Sequence, residues 1–397
     1  MKNGWANLRL KDIAYCNVAS LPDDTDPNYQ FEYVDIGTVE QGEINFNGEL
    51  INFKNAPSRA RRLGKPGDII ISTVRTYLRA ISPIPEYQYP LVFSTGFAVL
   101  SPKPNTSGKF LGYAVQSKAF IDQVVTNSVG VSYPSINTNT LLALKTSVPP
   151  LPEQERIANY LDRETGRLDT LVAEQENFIN LLTLRRKEAV RNLVTGASNP
   201  LLTYEDTGVS WLGLKPKEWN LIRTRFLARI TTGSGDTQDA VENGDFPFYV
   251  RSDNPERSSR YEFDCTAVLT SGDGAGVGKV FHLINGKFMA HQRVYVLTDF
   301  RYVLPEYFYH YFSTFFGDVA LDGSAKTTVD SVRRWMITEF PVIVPPISMQ
   351  ELIIREINTE TTRIDGLIAE AERNIELSKE RRAALITAAV TGQIEVD

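Results

Sequence analysis

Cysteine and histidine are almost missing from this chain: 397 residues hold 2 cysteines and 3 histidines. Cys16 and Cys265 cannot build a disulfide framework, and neither has a neighbour at metal-ligand spacing. His282, His291 and His310 show no zinc spacing. No apolar run approaches the ~20 residues of a membrane span, and the N-terminal MKNGWANLRLKD lacks the apolar core of a signal peptide. A reducing cytoplasm with no membrane contact is the expectation. Positive charge is not in excess either. The net charge is −6 and the pI about 5.4. Summed, that argues against a nucleic-acid partner, but charge acts locally and its distribution matters more. No Ser/His/Asp set stands out, and the carboxylates form no Pro-Asp…Glu-x-Lys cluster of the nuclease kind. No catalytic residue and no metal site are expected.

What the chain does have is a repeat. Val148–Gly196 begins VPPLPEQERI and ends at Thr195-Gly196; Val344–Gly392 begins VPPISMQELI and ends at Thr391-Gly392. The copies align without a gap, with about 20 identities, which demands a repeat architecture before any other reading. Gln154-Glu155 matches Gln350-Glu351; Arg167, Asp169 and Leu171 match Arg363, Asp365 and Leu367; Arg185-Arg186 matches Arg381-Arg382. Each copy reads as one long helix, entered at Pro-Pro and left at Thr-Gly. A heptad seam is expected through Ile157, Leu161, Glu164, Leu168, Leu171, Gln175, Phe178, Leu182, Arg185 and Ala189. Its counterpart runs through Ile353, Ile357, Glu360, Ile364, Leu367, Ala371, Asn374, Ser378, Arg381 and Leu385. Neither seam is fully apolar, so each helix needs a partner, and the other copy is the obvious one. Some 40 residues at about 1.5 Å each give a rod of roughly 60 Å.

The rods divide the chain into 1–147, a first variable block; 148–197, a spacer helix; 198–343, a second block; and 344–397, a second spacer helix. In the first block, Trp5–Leu10 is an entry strand, echoed by Trp219–Arg223 in the second. Lys54, Arg59, Arg61, Arg62, Lys65, Arg75 and Arg79 face the single acid Asp68. Ile69-Ile70-Ile71 is a buried-strand signal. If the strand continues, Thr73, Arg75, Tyr77 and Arg79 share one face, and arginines interleaved with a tyrosine suit phosphate and base-edge contact. A solvated basic face is the alternative. Phe93–Leu100 reads as a strand, Lys109–Val125 as a helix and Ser128–Asn139 as a polar loop. In the second block, Phe246–Arg251, Ala267–Thr270 and Val294–Leu297 are strand-like, and Tyr307–Phe316 is an aromatic-rich helix. Ala290–Leu297 aligns with Phe93–Leu100, setting His291 and Arg293 opposite Ser94 and Gly96; Gly323–Asp330 corresponds to the Val129–Ile136 loop.

Two motifs invite chemistry and fail. Ser271–Lys279 resembles a phosphate loop, but Asp273 stands where its first glycine should and Val280 where Ser or Thr should follow the lysine. A glycine-rich hairpin with close backbone approach is the better reading. The two Val-Pro-Pro runs superficially resemble the Asn-Pro-Pro-Tyr loop of DNA amino-methyltransferases, yet lack the Asn or Asp and the stacking aromatic.

Taken together, the duplicated Pro-Pro opening, Gln-Glu pair, Arg-x-Asp-x-Leu, Arg-Arg and Thr-Gly, set behind two divergent blocks, resemble the specificity subunit of type I restriction–modification systems. Gly67–Ser72 and Ser271–Gly278 also look like stretches of that family's target-recognition domains. The second copy departs at Ser348-Met349, where the motif usually has Pro-Glu. The resemblance implies an α/β (α+β) chain: two target-recognition domains with mixed β-sheets, separated by two long helices forming an antiparallel coiled coil with pseudo-twofold repeat. It implies a non-catalytic reader of a split double-stranded DNA sequence, one domain per half-site. Two modification (methyltransferase) subunits would dock on the helices and restriction subunits would join that core. Methyl donor, ATP and magnesium would act on those partners, with no cofactor on this chain.

On that basis Arg59, Arg61, Arg62, Arg75, Tyr77 and Arg79 are expected at the first half-site, and Arg251, Lys279, His291, Arg293 and Lys326 at the second. Arg167, Asp169, Arg185, Arg186, Arg363, Asp365, Arg381 and Arg382 are candidates for subunit docking or for salt bridges within the rod. Two other classes stay open: a stand-alone DNA methyltransferase or nuclease, which would act as purified chain, and a coiled-coil scaffold with no DNA role, which would show no salt-dependent binding.

Overall fold

The computed structural model describes residues 4–197, 201–321 and 331–396. They pack as two units, Met1–Glu176 with Glu372–Asp397, and Asn177–Ala371. Each unit holds most of one variable block, one end of the long helix Leu151–Thr195 and one end of the long helix Ile347–Val390.

In the first unit the chain enters on Ala6–Arg9 and leaves on Lys145–Val148, and these pair antiparallel from Ala6↔Val148 to Arg9↔Lys145. Between them, Ile69–Ser72 is buried throughout and lies between Phe97–Pro102 and Ile81–Pro83. An unbroken β-branched run suits a strand covered on both faces. Ile69 and Ile71 join Ala98, Leu100, Leu111, Val115 and Phe120 in one core. Ile70, pointing the other way, joins Phe93, Phe97 and Val99 in a second. A five-stranded sheet in this unit is mixed: Leu91–Ser94 runs parallel to Gln30–Val34 and antiparallel to Ala60–Leu63.

The second unit repeats the plan. Asn220–Arg223 pairs with Pro341–Val344, from Asn220↔Val344 to Arg223↔Pro341. Its six-stranded sheet is also mixed, with Phe246–Tyr249 parallel to Phe281–Ala290. The helix Pro305–Leu321 buries Tyr307, Phe308, Tyr311, Phe312, Phe315 and Phe316 against Val268, Leu297 and Phe340.

Three local expectations need correction. Phe93–Leu100 is two strands, Leu91–Ser94 and Phe97–Pro102, because Thr95 and Gly96 turn the chain from one sheet to the other. Lys109–Val125 is two helices, Gly108–Gln116 and Lys118–Thr126; Ser117 is extended and its hydroxyl caps the second by accepting the Phe120 N–H. The strand ends at Ser72, so Thr73–Arg79 does not alternate: Thr76–Leu78 is a 3-10 turn flanked by Arg75 and Arg79, both left-handed at φ 50° and 53°.

The glutamine of the repeat has a structural task. Gln154 is buried; its Nε2 donates to Pro149 O (2.8 Å) and its Oε1 accepts the Ser107 N–H (2.9 Å). Gln350, also buried, donates to Pro345 O (2.8 Å) and accepts the Leu304 N–H (2.7 Å). In both copies one amide fastens the first turn of the long helix to the chain just ahead of a block helix. At the far end, Gly196 and Gly392 sit at φ 71° and 73°. Ala197 N–H reaches Asn192 O, and Gln393 N–H reaches Ala388 O. Those are Schellman closures, which the Thr-Gly ending predicts.

Within each unit the long-helix segments run antiparallel. In the first, Ile157, Ala158 and Leu161 share a core with Ile386, Ala389 and Val390, while Arg382 Nε lies 2.9 Å from Asp169. In the second, Val190 and Val194 share a core with Ile353, Ile354 and Ile357, while Arg186 holds Asp365 through two bonds of 2.8 and 3.3 Å. The two ion pairs are one contact with the copies exchanged.

The seam alternates by four and three as expected, but every second position moves by one. The inward side chains are Thr165, Val172, Ile179 and Arg186, where Glu164, Leu171, Phe178 and Arg185 were expected. In the second copy they are Thr361, Ile368, Ile375 and Arg382, where Glu360, Leu367, Asn374 and Arg381 were expected. This register keeps the acid and amide of the second copy out of the seam. It leaves Leu171, Phe178, Leu181 and Leu184 exposed.

Replacing Gln154 or Gln350 by Ala strands buried amide partners and should each destabilise the chain by about 1–3 kcal/mol. Arg186→Ala removes a half-exposed pair and should cost less than about 1 kcal/mol. Urea denaturation of the full chain measures both; equal losses would mean that the glutamines do not anchor the helices.

Candidate nucleic-acid interface

One corner is built the same way in both units. In the first, Thr73 N–H donates to Gly96 O (2.8 Å), Ile136 N–H donates to Thr73 O (2.8 Å), and Val74 bridges Ser135. In the second, Gly272 N–H donates to Arg293 O (2.7 Å), Val332 N–H donates to Gly272 O (2.8 Å), and Asp273 bridges Ser331. Ser72 and Ser271 each turn a hydroxyl onto the carbonyl two residues on, Val74 O and Asp273 O. A strand ends, turns tightly and is met by a returning loop. What differs is the side chains set on this frame.

In the first unit the corner is aromatic and cationic. The Arg75 guanidinium lies over the Tyr133 ring, 4.9 Å from its centre, and Thr76 Oγ1 meets Ser128 Oγ at 2.9 Å. Arg75, Tyr77, Leu78 and Arg79 are exposed on the turn; Val129, Val131 and Tyr133 are exposed on the loop beside it. Exposed Arg59 belongs to the same corner, since its carbonyl accepts the Thr95 N–H (2.8 Å). Arg61 and Arg62 do not join it. They are adjacent on one strand and so point to opposite faces. Arg61 is 3.5 Å from Asp23 and lies over Phe53, and the Arg62 Nε is buried.

In the second unit a concave site of about 890 Å³ is lined by Arg251, Asp273, His291 and Arg293, with Asp236 and Tyr295 among their neighbours. Asp273 accepts from Arg251 Nη1 (3.0 Å) and Arg293 Nη1 (2.5 Å). Burial opposes its ionisation, but the hydrogen bonds and charges of both arginines prevail and hold its carboxyl below the usual range. His291 is buried; its Nδ1 accepts the Arg293 N–H (3.0 Å), which assigns the ring proton to Nε2. Burial lowers its pKa, and the charges of Arg251 and Arg293 push the same way against the raising charges of Asp236 and Asp273. His291 is therefore a neutral support rather than an exposed cation. Lys279 is exposed in the turn before Phe281–Ala290, does not line the site and is absent from the Asp273 cluster. Lys326, with the Gly323–Asp330 loop, lies outside the described residues.

Sequence reasoning missed Tyr133 and Asp273. Asp273 was weighed only as a defect in a phosphate loop. Aligning Ser72-Thr73-Val74 with Ser271-Gly272-Asp273 would have set it beside Arg293. The Ser271–Lys279 run is a hairpin turn, as read, and its close approach is to this chain's own backbone: a Cβ on Gly272 would stand 2.7 Å from Arg293 O, and one on Gly276 2.6 Å from Arg251 O.

On the long helices, Asp169, Arg186, Asp365 and Arg382 are engaged in the ion pairs already described. Arg167 and Arg363 pair with Glu164 and Glu360 along their own helices (2.8 and 3.0 Å). Arg185 and Arg381 are exposed and make no side-chain hydrogen bond or ion pair among the described residues.

Among known proteins, the family described as "Type I restriction modification DNA specificity domain" matches residues 2–180 and again 216–376. The type I restriction enzyme EcoDI specificity subunit of Escherichia coli is 27% identical over 182 residues, 46% of this chain. The match spans 40% of that subunit's length. A chain from a structural study of complex assembly and conformational transition in the type I R-M system aligns over 99% of both chains, with TM-score 0.70 and 20% identity. The HsdS subunit from Thermoanaerobacter tengcongensis aligns over 99% of this chain and 98% of its own, with TM-score 0.52 and 20% identity. At those identities the two structures speak for the fold.

All three histidines lie in the second unit, and burial lowers the pKa of each. The unfolded chain therefore binds more protons than the folded one as pH falls through about 6.5. Stability present above that pH should be lost progressively below it. His291→Asn, whose Oδ1 can still accept the Arg293 N–H, should lessen the fall. Melting of the full chain at pH 8 and pH 5.5 checks this; an equal drop in both proteins would remove His291 as a contributor.

Proposed function

The chain belongs to the type I restriction–modification DNA specificity family, and we propose that it serves as the specificity subunit of such a complex, reading a split double-stranded DNA target with one block per half-site. The observation that carries this reading is the twice-built corner with exposed cations on it, Arg75 and Arg79 in one unit and Arg251 and Arg293 in the other. Arginine forks match guanine acceptors and phosphate oxygens alike, and local cationic corners reconcile DNA binding with a net charge of −6. Arg59, Tyr77 and Tyr133 complete the first corner. Arg61 is engaged by Asp23 and Phe53 and the Arg62 Nε is buried, so this proposal leaves both out of the half-site.

Two modification subunits dock, in this proposal, on the outward helix faces around Arg185 and Arg381, beside the exposed Leu181, Leu184 and Leu377. Methyl transfer, with its methyl donor, belongs to those subunits. ATP- and magnesium-dependent cleavage belongs to restriction subunits that join them. Among the described residues no helix is long and apolar enough to cross a membrane.

Co-expression with the modification subunit, followed by sequencing of methylated positions, should return a split asymmetric motif with a fixed gap. Removing one helical turn from both long helices should change the gap and leave both half-site sequences as they were. A complex that assembles, holds methyl donor and leaves DNA unmethylated would favour the scaffold instead. Arg185→Glu with Arg381→Glu should weaken assembly with the modification subunit at least tenfold without lowering the melting temperature; unchanged assembly would move the docking site elsewhere.

A further inference from the structure

We propose that Arg251, Asp273 and Arg293 form a guanine-reading triad in the second block, in which Asp273 is the positioning residue that aims both guanidinium forks at base edges. This deepens, and rests on, the reading of the chain as a DNA specificity subunit.

The geometry separates what is held from what is offered. Asp273 uses one carboxylate oxygen for Nη1 of each arginine. Its side chain is 14% exposed, whereas those of Arg251 and Arg293 are 45% and 60% exposed. The Nε and Nη2 atoms of both arginines have no partner among the described residues, so the edge that donates two parallel hydrogen bonds stays free on each. That edge fits the adjacent O6 and N7 acceptors of guanine in the major groove. A phosphate clamp is the weaker reading. A carboxylate between two arginines leaves the triad with a single net positive charge, so its pull on a phosphate is weaker than that of two free arginines.

The backbone around the triad is fixed with unusual closeness. The glycines at 272 and 276 let the turn approach the carbonyls of Arg293 and Arg251 to distances no Cβ would allow. Gly272 N–H is bonded to Arg293 O, and the next residue is Asp273. From the other side, His291 accepts the Arg293 N–H. The glycine-rich run that fails as a phosphate loop thus acquires a role: it sets an acid between an arginine just past the strand Phe246–Tyr249 and one just ahead of the strand Val294–Thr298. The equivalent positions in the first block are Val74 and Gly96, which can form no such triad. The effect must fall on one half-site only.

The test is the full chain carrying Asp273→Asn, co-expressed with the modification subunit, with methylated motifs read by sequencing and DNA binding measured against salt. The motif of the unaltered complex should contain guanine in the affected half-site. In the variant, discrimination there should relax on the order of tenfold to a hundredfold. The other half-site should stay unchanged, and the salt dependence of binding should steepen by about one counterion, because an acid is lost. A purely structural role would weaken both half-sites together and leave the motif intact. An unchanged motif, or a half-site without guanine on either strand, overturns the proposal. If Asp273→Asn unfolds the second unit, Arg293→Lys decides: it keeps the charge and loses the fork, so it should relax the same position, and an unchanged motif overturns the proposal equally. A wild-type complex with no split motif at all would sink the functional reading itself, a separate outcome.

Discussion

Both units depend on the pairing of a block's first strand with its last. Ala6–Arg9 on Lys145–Val148, and Asn220–Arg223 on Pro341–Val344, bring the exit of each block back to its entrance. Everything between can then vary without moving the point at which the chain enters the long helix. The Pro-Pro that follows cannot continue the strand ladder and is suited to opening a helix. The buried glutamine locks that junction by satisfying backbone groups on two sides at once. A side chain that must both donate and accept, at a fixed distance from a proline carbonyl, explains why glutamine stands at both 154 and 350 although Leu151-Pro152-Glu153 and Ile347-Ser348-Met349 just ahead of them differ.

The same frame then supports two different surfaces. Ser72 and Ser271 make the same hydroxyl contact, and Thr73 and Gly272 the same backbone bonds. One position further on, Val74 and Asp273 part company. In the first unit the corner is finished by an arginine stacked on a tyrosine, with apolar tips at Val129 and Val131. In the second it is finished by an acid held between two arginines over a concave floor. Backbone hydrogen bonds carry no side-chain identity, so a frame made of them tolerates this exchange. That is what a domain needs if its scaffold is to stay constant while its target changes.

How much of this the sequence disclosed follows the same division. Helix entry, helix exit, the partner helix and the two block-entry strands were legible, because proline, glycine and repeated hydrophobic spacing act locally; the antiparallel sense came from the family resemblance. The seam register was not. Leu171 and Phe178 are larger apolar side chains than Val172 and Ile179, so the first copy alone favours the wrong set. Read jointly, the copies decide it: the chosen set contains Glu360 and Asn374, whereas the set one residue on contains Thr361, Ile368 and Ile375. The continuation of Ile69–Ser72 was misread for a different reason. Alternation shows only which side chains would share a face if the backbone stayed extended, and here Arg75 and Arg79 adopt left-handed φ that no pattern of residue types announces.

The charge of the corner sites shows why a list of basic residues is a poor map of a DNA-reading surface. Arg61 is as basic as Arg75, yet it is spent on Asp23 and Phe53. His291, expected at the second half-site, is buried and bonded to backbone. Asp273, read only as a defect in a phosphate loop, lies between two arginines and bonds both. Affinity for a polyanion grows with the number of free cations. Discrimination between bases grows with how rigidly a few donors are held. A carboxylate held between two arginines subtracts from the first and adds to the second, and an acidic chain that must read sequence can draw on the second.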